Sequence, residues 1–150
     1  MQRCIVLFFA VLFLTLSLAS EASVRQEVLP GPVAGDVVKV LDGDTLAVRA
    51  RVWIGTAVET SVRIEGIDAP EIKGKCEKET ALAEAARREI LRLVGERPVE
   101  IYDIRLEKYA GRVLARVRTA DGIDIGQHMI NKGLVRPYHG EKRQPWCAAI

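Results

Sequence analysis

Apolar and polar residues alternate along much of the chain, and changes in the period of this alternation predict a series of strands and helices. Residues 37–41 are rich in β-branched side chains and end at Asp42-Gly43, a strong hairpin signal. Residues 45–54 alternate between apolar and other side chains, as a half-buried strand does, and Gly55 breaks the pattern. Because residues 58–67 supply a third strand, the first half of the domain is predicted to be a three-stranded meander.

The period becomes helical over residues 77–94, where acidic residues come first and arginines later, as the helix dipole favours. Gly95 stands where a C-terminal cap belongs, and Pro98 prevents the helix from continuing. Residues 99–102 and 112–119 then predict two more strands.

A short second helix follows the fifth strand. Asp124 is suited to cap it, and the pattern predicts that it continues through residue 131. Five strands with a helix between the third and the fourth are typical of the OB-fold. We therefore predict an α+β domain in which a five-stranded OB-fold β-barrel carries two helices.

The first 22 residues have the layout of a secretory signal peptide. An apolar run over residues 5–18 follows a short basic start and precedes small residues, and cleavage after Ala19 or after Ala22 fits this pattern. The run is short for a membrane span, although an uncleaved anchor remains the alternative. The sequence thus predicts an exported protein, periplasmic or secreted, with no stable membrane span after cleavage.

Residues 23–32 are predicted to form a flexible lead-in, and residues 33–150 are sufficient for one compact domain. The whole chain carries 22 basic and 20 acidic residues, which is far from the strong positive charge of many DNA-binding domains. Any binding of nucleic acid must therefore depend on a local site.

Two cysteines remain outside the leader, Cys76 and Cys147, and an even number in an exported protein favours a disulfide. On the chain-entropy model such a bond stabilises the fold by roughly 4 kcal/mol. The alternative is a pair of free thiols. No cysteine or histidine spacing suggests a zinc site.

The stretch R-I-E-G-I-D-A-P-E at residues 63–71 combines a cation with carboxylates on a strand and its exit turn. Pro70 makes the turn rigid. Carboxylates on a rigid turn suit a hard metal ion, and a nearby arginine suits a phosphate. The motifs D-G-D-T at 42–45 and K-Y-A-G-R at 108–112 add a carboxylate and a second arginine, so together they suggest metal-assisted attack on a phosphodiester.

Each motif has a structural explanation when it is taken alone. Asp42-Gly43 is an ordinary hairpin turn, Asp68 before a proline can bond to its own backbone, and arginines on strands usually face solvent. Their joint occurrence, in this order, is what favours a functional site.

These three motifs, in an arrangement that covers about residues 37–138, resemble the staphylococcal (micrococcal) nuclease family, also called thermonucleases. The resemblance implies an OB-fold enzyme that uses Ca²⁺ to cleave DNA and RNA and leaves 3′-phosphate ends. It implies calcium ligands at Asp44, at Asp68 and at the backbone carbonyl of Ala69. It also assigns Glu71 to the attacking water and assigns Arg63 and Arg112 to the phosphate.

The resemblance further implies contacts with bound nucleotide at Lys108 and Tyr109, and Tyr138 lies in the neighbourhood of a base- or phosphate-packing aromatic. Ordinary packing is the alternative for Tyr138. Ala110 is an extra residue relative to the staphylococcal pattern and could alter how Arg112 approaches the phosphate. We expect no counterpart of the long terminal helix of that protein after Trp146-Cys147, and a bond between Cys76 and Cys147 could secure this end instead.

The leading prediction is therefore an exported, Ca²⁺-dependent and monomeric nuclease that acts on DNA and RNA with little sequence specificity. The competing hypotheses are a non-catalytic OB-fold module that binds nucleic acid and an interaction module of the cell envelope. Completeness of the site discriminates between them, because a binding module needs no such combination of carboxylates and arginines.

Overall fold

The computed structural model describes residues 27–108 and 111–147. The predicted signal peptide, part of the predicted lead-in, and Tyr109 lie outside the described residues. The elements are β1 Val33–Asp42, β2 Thr45–Trp53, β3 Thr56–Ile64, β4 Ile67–Asp68, α1 Glu77–Val94, β5 Val99–Leu106, β6 Arg112–Arg118, α2 Ile125–Asn131 and β7 Arg136–Pro137.

Five strands close into a barrel in the order β1-β2-β3-β6-β5, and the short strands β4 and β7 form a separate two-stranded sheet. Helix α1 lies between the third and fourth barrel strands along the chain, so the predicted OB-fold barrel is confirmed. All neighbouring barrel strands pair antiparallel except β3 and β6, which are parallel.

The core lies inside the barrel and beneath α1. Leu46 and Val48 of β2 and Val62 of β3 are buried because they occupy inward positions of alternating strands. On α1, Ala86 and Ile90 recur one helical turn apart and are fully buried. The helix has the predicted bounds, 77–94, and the N–H of Gly95 bonds to the carbonyl of Leu91 at its end, 3.1 Å away.

Helix α2 begins as predicted. The side chain of Asp124 accepts a hydrogen bond from the backbone N–H of Gln127 at 3.0 Å, which satisfies one of the free donors in the first turn. Before the barrel, Leu29 exchanges two backbone hydrogen bonds with Ile104 of β5, both 2.8 Å long. Within the described ranges, no helix combines the length and the apolar character needed to cross a membrane.

The third strand is shorter than the predicted 58–67 range. It ends at Ile64, and Gly66 makes the turn with φ +81°, a conformation that favours glycine. Strand β4 then pairs with β7, so that Asp68 lies opposite Arg136. This redirection brings the acidic turn back against the barrel, where it contributes to the site described below.

Trp53 is not a packing residue of the core. Its side chain is 78% exposed at the tip of the β2–β3 hairpin, next to Ile54, which is 92% exposed. Strand alternation cannot predict this exposure, because the hairpin tip extends beyond the part of the sheet that the core covers.

Glu89 joins the two helices. Its carboxylate lies 2.7 Å from Nε2 of His128 on α2 and also accepts hydrogen bonds from Arg92. The hydrogen bonds from Arg92 and then from His128 lower the pKa of Glu89 from 4.5 to about 2. Because the pKa is lower in the folded state, the contribution to stability is present above pH 4.5 and is lost as the pH falls toward 2.

We expect Glu89→Gln to lower the free energy of unfolding by about 1 kcal/mol near neutral pH, since the pair is partly solvated. The difference from the wild type should shrink between pH 4.5 and pH 2, over which Glu89 becomes protonated. Denaturant unfolding over this pH series is the measurement. Glu96→Gln, at an exposed position after α1, is the control and should show no such trend.

Candidate active site

The site begins at the turn between β1 and β2, which presents Asp44. Asp42 pairs with Thr45, so the turn is tight. A Cβ atom on Gly43 would lie 2.8 Å from the Cβ of Ala86 and 3.0 Å from that of Ala69, and only glycine allows this approach. The turn is therefore held between α1 and the acidic loop.

The carboxylate of Asp44 is buried and has donors from three parts of the chain. It accepts hydrogen bonds from the hydroxyl of Thr45 at 2.8 Å and from the backbone N–H of Ala69 at 2.9 Å. It also forms an ion pair with Arg63, whose Nη1 lies 2.6 Å from Oδ2. These contacts fix the direction in which the carboxylate faces.

Asp68 is also buried, 3% exposed, at the end of β4. Its Oδ1 lies 3.9 Å from Nη2 of Arg63, and the same guanidinium nitrogen donates to the carbonyl of Ile67 at 3.1 Å. Arg63 therefore bridges the turn after β1 and the loop after β3, and brings the two predicted metal-binding aspartates to one place.

The two predicted phosphate-binding arginines lie on neighbouring parallel strands. Arg63 of β3 is opposite Leu114 of β6, and Arg112 is opposite Ser61. Because residues two apart on a strand face the same side, Arg63 and Arg112 project from the same face, one pleat apart. Arg112 forms an ion pair with Glu107, with Nη2 3.0 Å from Oε1.

These groups surround a cavity of about 250 Å³. The residues that line it are Asp42, Asp44, Thr45, Arg63, Ala69, Glu71, Glu107, Lys108, Arg112, Tyr138 and Arg143. All the predicted catalytic residues are among them, and so are Lys108 and Tyr138. Asp68, a predicted metal ligand, is not among them, but it forms ion pairs with Arg63 and Arg143, which are.

Glu71 lies at the mouth of the cavity, and buried Glu79 of α1 holds the loop that carries it. The two carboxylate oxygens of Glu79 accept hydrogen bonds from the backbone N–H of Glu71 at 3.4 Å and of Lys75 at 2.9 Å. Next to Glu79, the sulfur atoms of Cys76 and Cys147 are at disulfide distance, with their Cα atoms 6.1 Å apart. The end of the described chain is thus close to the loop of Glu71.

Three carboxyl groups of the cavity, those of Asp42, Asp44 and Glu71, influence one another. The pKa of Asp42 is raised, first because the carboxyl is buried and then because Glu71 and Asp44 lie nearby. Arg63 partly offsets this effect. The carboxyl groups of the turn after β1 and of the acidic loop are therefore near neighbours in the folded chain.

The oxygen donors fit a hard divalent cation. Two buried carboxylates, the carbonyl of Ala69 and the carboxylate of Glu71 approach one another closely enough for one guanidinium, that of Arg143, to contact three of these four residues. Oδ1 of Asp68 is buried, and Nε of Arg143 lies 2.5 Å from it in an ion pair. A buried, charged carboxylate oxygen is a suitable metal ligand.

Sequence reasoning missed Arg143, Glu107 and the position of Asp42 in the cavity. Asp42 was interpretable only as a turn residue, and neither Arg143 nor Glu107 belongs to a recognisable motif. Glu65, the one acidic residue of the central motif without a predicted role, forms an ion pair with Arg105 of β5.

Comparison with known proteins identifies the family. The model of the family described as staphylococcal nuclease homologue matches residues 61–146, more than half of the chain. The chain belongs to the staphylococcal nuclease family. An "Uncharacterized endonuclease" of Escherichia coli is 29% identical over 118 residues, which cover 79% of this chain and 69% of the relative.

A protein with the same name from Escherichia coli O157:H7 has the same identity and coverage. The family match and both relatives support a nuclease. The resemblance inferred from the three motifs is therefore confirmed. The structure adds the arrangement of the motif residues around one cavity.

We expect Glu79→Ala to lower the free energy of unfolding by about 2 kcal/mol, because two backbone N–H groups lose their acceptor. Chemical denaturation is the measurement. The matched control is Glu77→Ala in the same first turn of α1, where the side chain is exposed. Equal losses for the two variants would mean that Glu79 does not hold the loop of Glu71.

Proposed function

We propose that this protein is an exported nuclease that uses Ca²⁺ to hydrolyse phosphodiester bonds in DNA and RNA with little sequence specificity. One observation carries the proposal: residues from three separate sequence motifs meet around a single charged cavity. A module that only binds nucleic acid has no need of buried carboxylates beside two paired guanidiniums.

The metal would be held by Asp44, Asp68 and the carbonyl of Ala69, with waters and a phosphate oxygen completing the shell of six to eight oxygens that Ca²⁺ takes. When bound, a Ca²⁺ ion supplies polarisation of the phosphoryl group and a fixed position for it. The oxygen-only donor set supports a hard cation, and the choice of Ca²⁺ follows the family resemblance.

Glu71 is suited to activate the attacking water. Its carboxylate is about half exposed at the mouth of the cavity, so water reaches it, and Glu79 fixes the backbone that carries it. From there it can orient a water molecule for in-line attack on phosphorus and accept its proton.

Arg63 and Arg112 would bind the phosphate. Two guanidiniums on one face offer paired N–H donors to the equatorial oxygens, where negative charge develops in the transition state. Arg63 is paired with Asp44, and Arg112 is paired with Glu107. When the phosphate binds, it must therefore replace these carboxylates as the acceptor of the guanidinium N–H groups. Lys108 and Tyr138 line the same cavity and are suited to contact flanking nucleotide.

We expect the protein to degrade plasmid DNA and RNA in the presence of Ca²⁺, and we expect this cleavage to stop when a chelator is added. Glu71→Gln should reduce the rate about a hundredfold or more, because the amide cannot accept the proton. Glu59→Gln, on the exposed part of β3 away from the cavity, is the control and should cleave normally.

A wild type that cleaves neither substrate with any divalent metal would contradict the enzyme and favour a non-catalytic OB-fold module. Full activity in Glu71→Gln would instead contradict only the role of Glu71.

Export and a Cys76–Cys147 disulfide form part of the same proposal, supported by the leader pattern and by the proximity of the two sulfur atoms. The intact mass of protein recovered outside the cytoplasm should lack the residues before Ser20 or Ser23. Without reductant it should also be lighter by two hydrogen atoms than the reduced form. Two free thiols in that sample would contradict the disulfide, and an uncleaved leader would contradict the processed form.

A further inference from the structure

Arg143 contacts oxygen atoms of the proposed metal ligands and of the proposed base. Its Nε lies 2.5 Å from Oδ1 of Asp68, its Nη1 lies 2.9 Å from Oε1 of Glu71, and its Nη2 donates to the carbonyl of Ala69 at 3.2 Å. Two of these oxygens belong to the proposed metal ligands, and the third belongs to the proposed base. Sequence patterns assign no role to this arginine.

We infer that Arg143 is an internal competitor of the metal: its guanidinium neutralises the acidic site and must leave before a divalent cation can coordinate. This inference rests on the metal site proposed above and adds a residue that sets how much cation the site requires.

The two cations exclude each other for reasons of space and charge. Ca²⁺ binds oxygen at about 2.3–2.6 Å, so an ion on Asp68 and Ala69 would overlap the space that the guanidinium now fills. Arginine does not lose its proton in proteins and has no lone pair to offer a metal. It therefore cannot become a ligand and can only move away.

Displacement is feasible because the contact is only partly buried. The side chains of Arg143 and Glu71 are 46% and 49% exposed, and ion pairs of this kind are individually weak. The other carboxylate partner, Asp68, is only 5% exposed, so its charge needs a cation at all times. A divalent ion supplies that charge more strongly than the guanidinium does.

The backbone on both sides of Arg143 is anchored, so the side chain can move without the segment leaving. On one side, the N–H of Tyr138 bonds to the carbonyl of Gly66 at 2.9 Å. On the other side, the ring of Trp146 packs against the guanidinium of Arg136, which lies 3.8 Å from the ring centre, and Cys147 lies against Cys76. These contacts hold the segment that carries Arg143 beside the site.

The test is calorimetric titration of Ca²⁺ into the purified protein without nucleic acid. Arg143→Gln should bind Ca²⁺ about tenfold more tightly than the wild type, because charge-assisted contacts no longer have to be broken. Arg143→Lys should show a smaller gain, since it keeps the charge and loses the planar fork. Lys142→Gln removes the same charge from the neighbouring residue and should change the affinity by less than about twofold.

Thermal unfolding gives a second measurement. Without metal, Arg143→Gln should unfold at a lower temperature than the wild type, because the carboxylates lose their counter-ion. Saturating Ca²⁺ should then raise its unfolding temperature by more than it raises that of the wild type. If Arg143→Gln does not fold, the comparison of Arg143→Lys with the wild type decides.

Equal or weaker Ca²⁺ binding in Arg143→Gln, or in Arg143→Lys where it alone folds, would overturn the inference while leaving the nuclease intact. Absence of Ca²⁺ binding in all variants would also overturn it. Cleavage that persists in chelator and is lost in Arg143→Gln would show instead that the arginine serves the reaction directly. A protein that binds Ca²⁺ as expected and never cleaves would contradict the proposed function alone.

Discussion

The hydrogen bond from the backbone N–H of Ala69 to the carboxylate of Asp44, 2.9 Å long, is the contact on which the site depends. It joins the turn after β1 to the loop after β4, two segments that no strand pairing connects directly. Because Ala69 is buried, breaking this bond would leave its N–H without an acceptor, although Asp44 would keep Thr45 and Arg63. The same carboxylate receives Arg63, so one buried group organises both acidic loops and the first guanidinium.

Each guanidinium of the cavity has a carboxylate partner: Arg63 has Asp44, Arg112 has Glu107, and Arg143 has Glu71 and Asp68. This internal pairing places three arginines in one cavity of a chain with a net charge of only +2. Under the proposed function, binding of substrate and cation would exchange partners within this charged network. The effects of mutations at two members of this network will consequently not add, since removing one residue changes the environment of its partner.

Local patterns predicted the barrel and α1 well, because helical periodicity, Gly95 and Pro98 all indicate the same boundary. They did not predict the break after Ile64, since the alternation continues across Glu65 and the turn is visible only through the pairing of β4 with β7. Arg143 was beyond sequence reasoning: it is one of 22 basic residues and belongs to no motif. Its position comes from contacts made by distant residues.

The parallel pairing of β3 with β6 has a consequence for when the site exists. Hairpins such as β1–β2 form from neighbouring residues, whereas Arg63 and Arg112 become neighbours only after the chain between them has folded back through α1 and β5. Pairings between distant segments raise contact order and form at a larger entropic cost. An incompletely folded chain therefore has no complete cavity, and barrel closure itself controls the onset of any activity that needs both arginines.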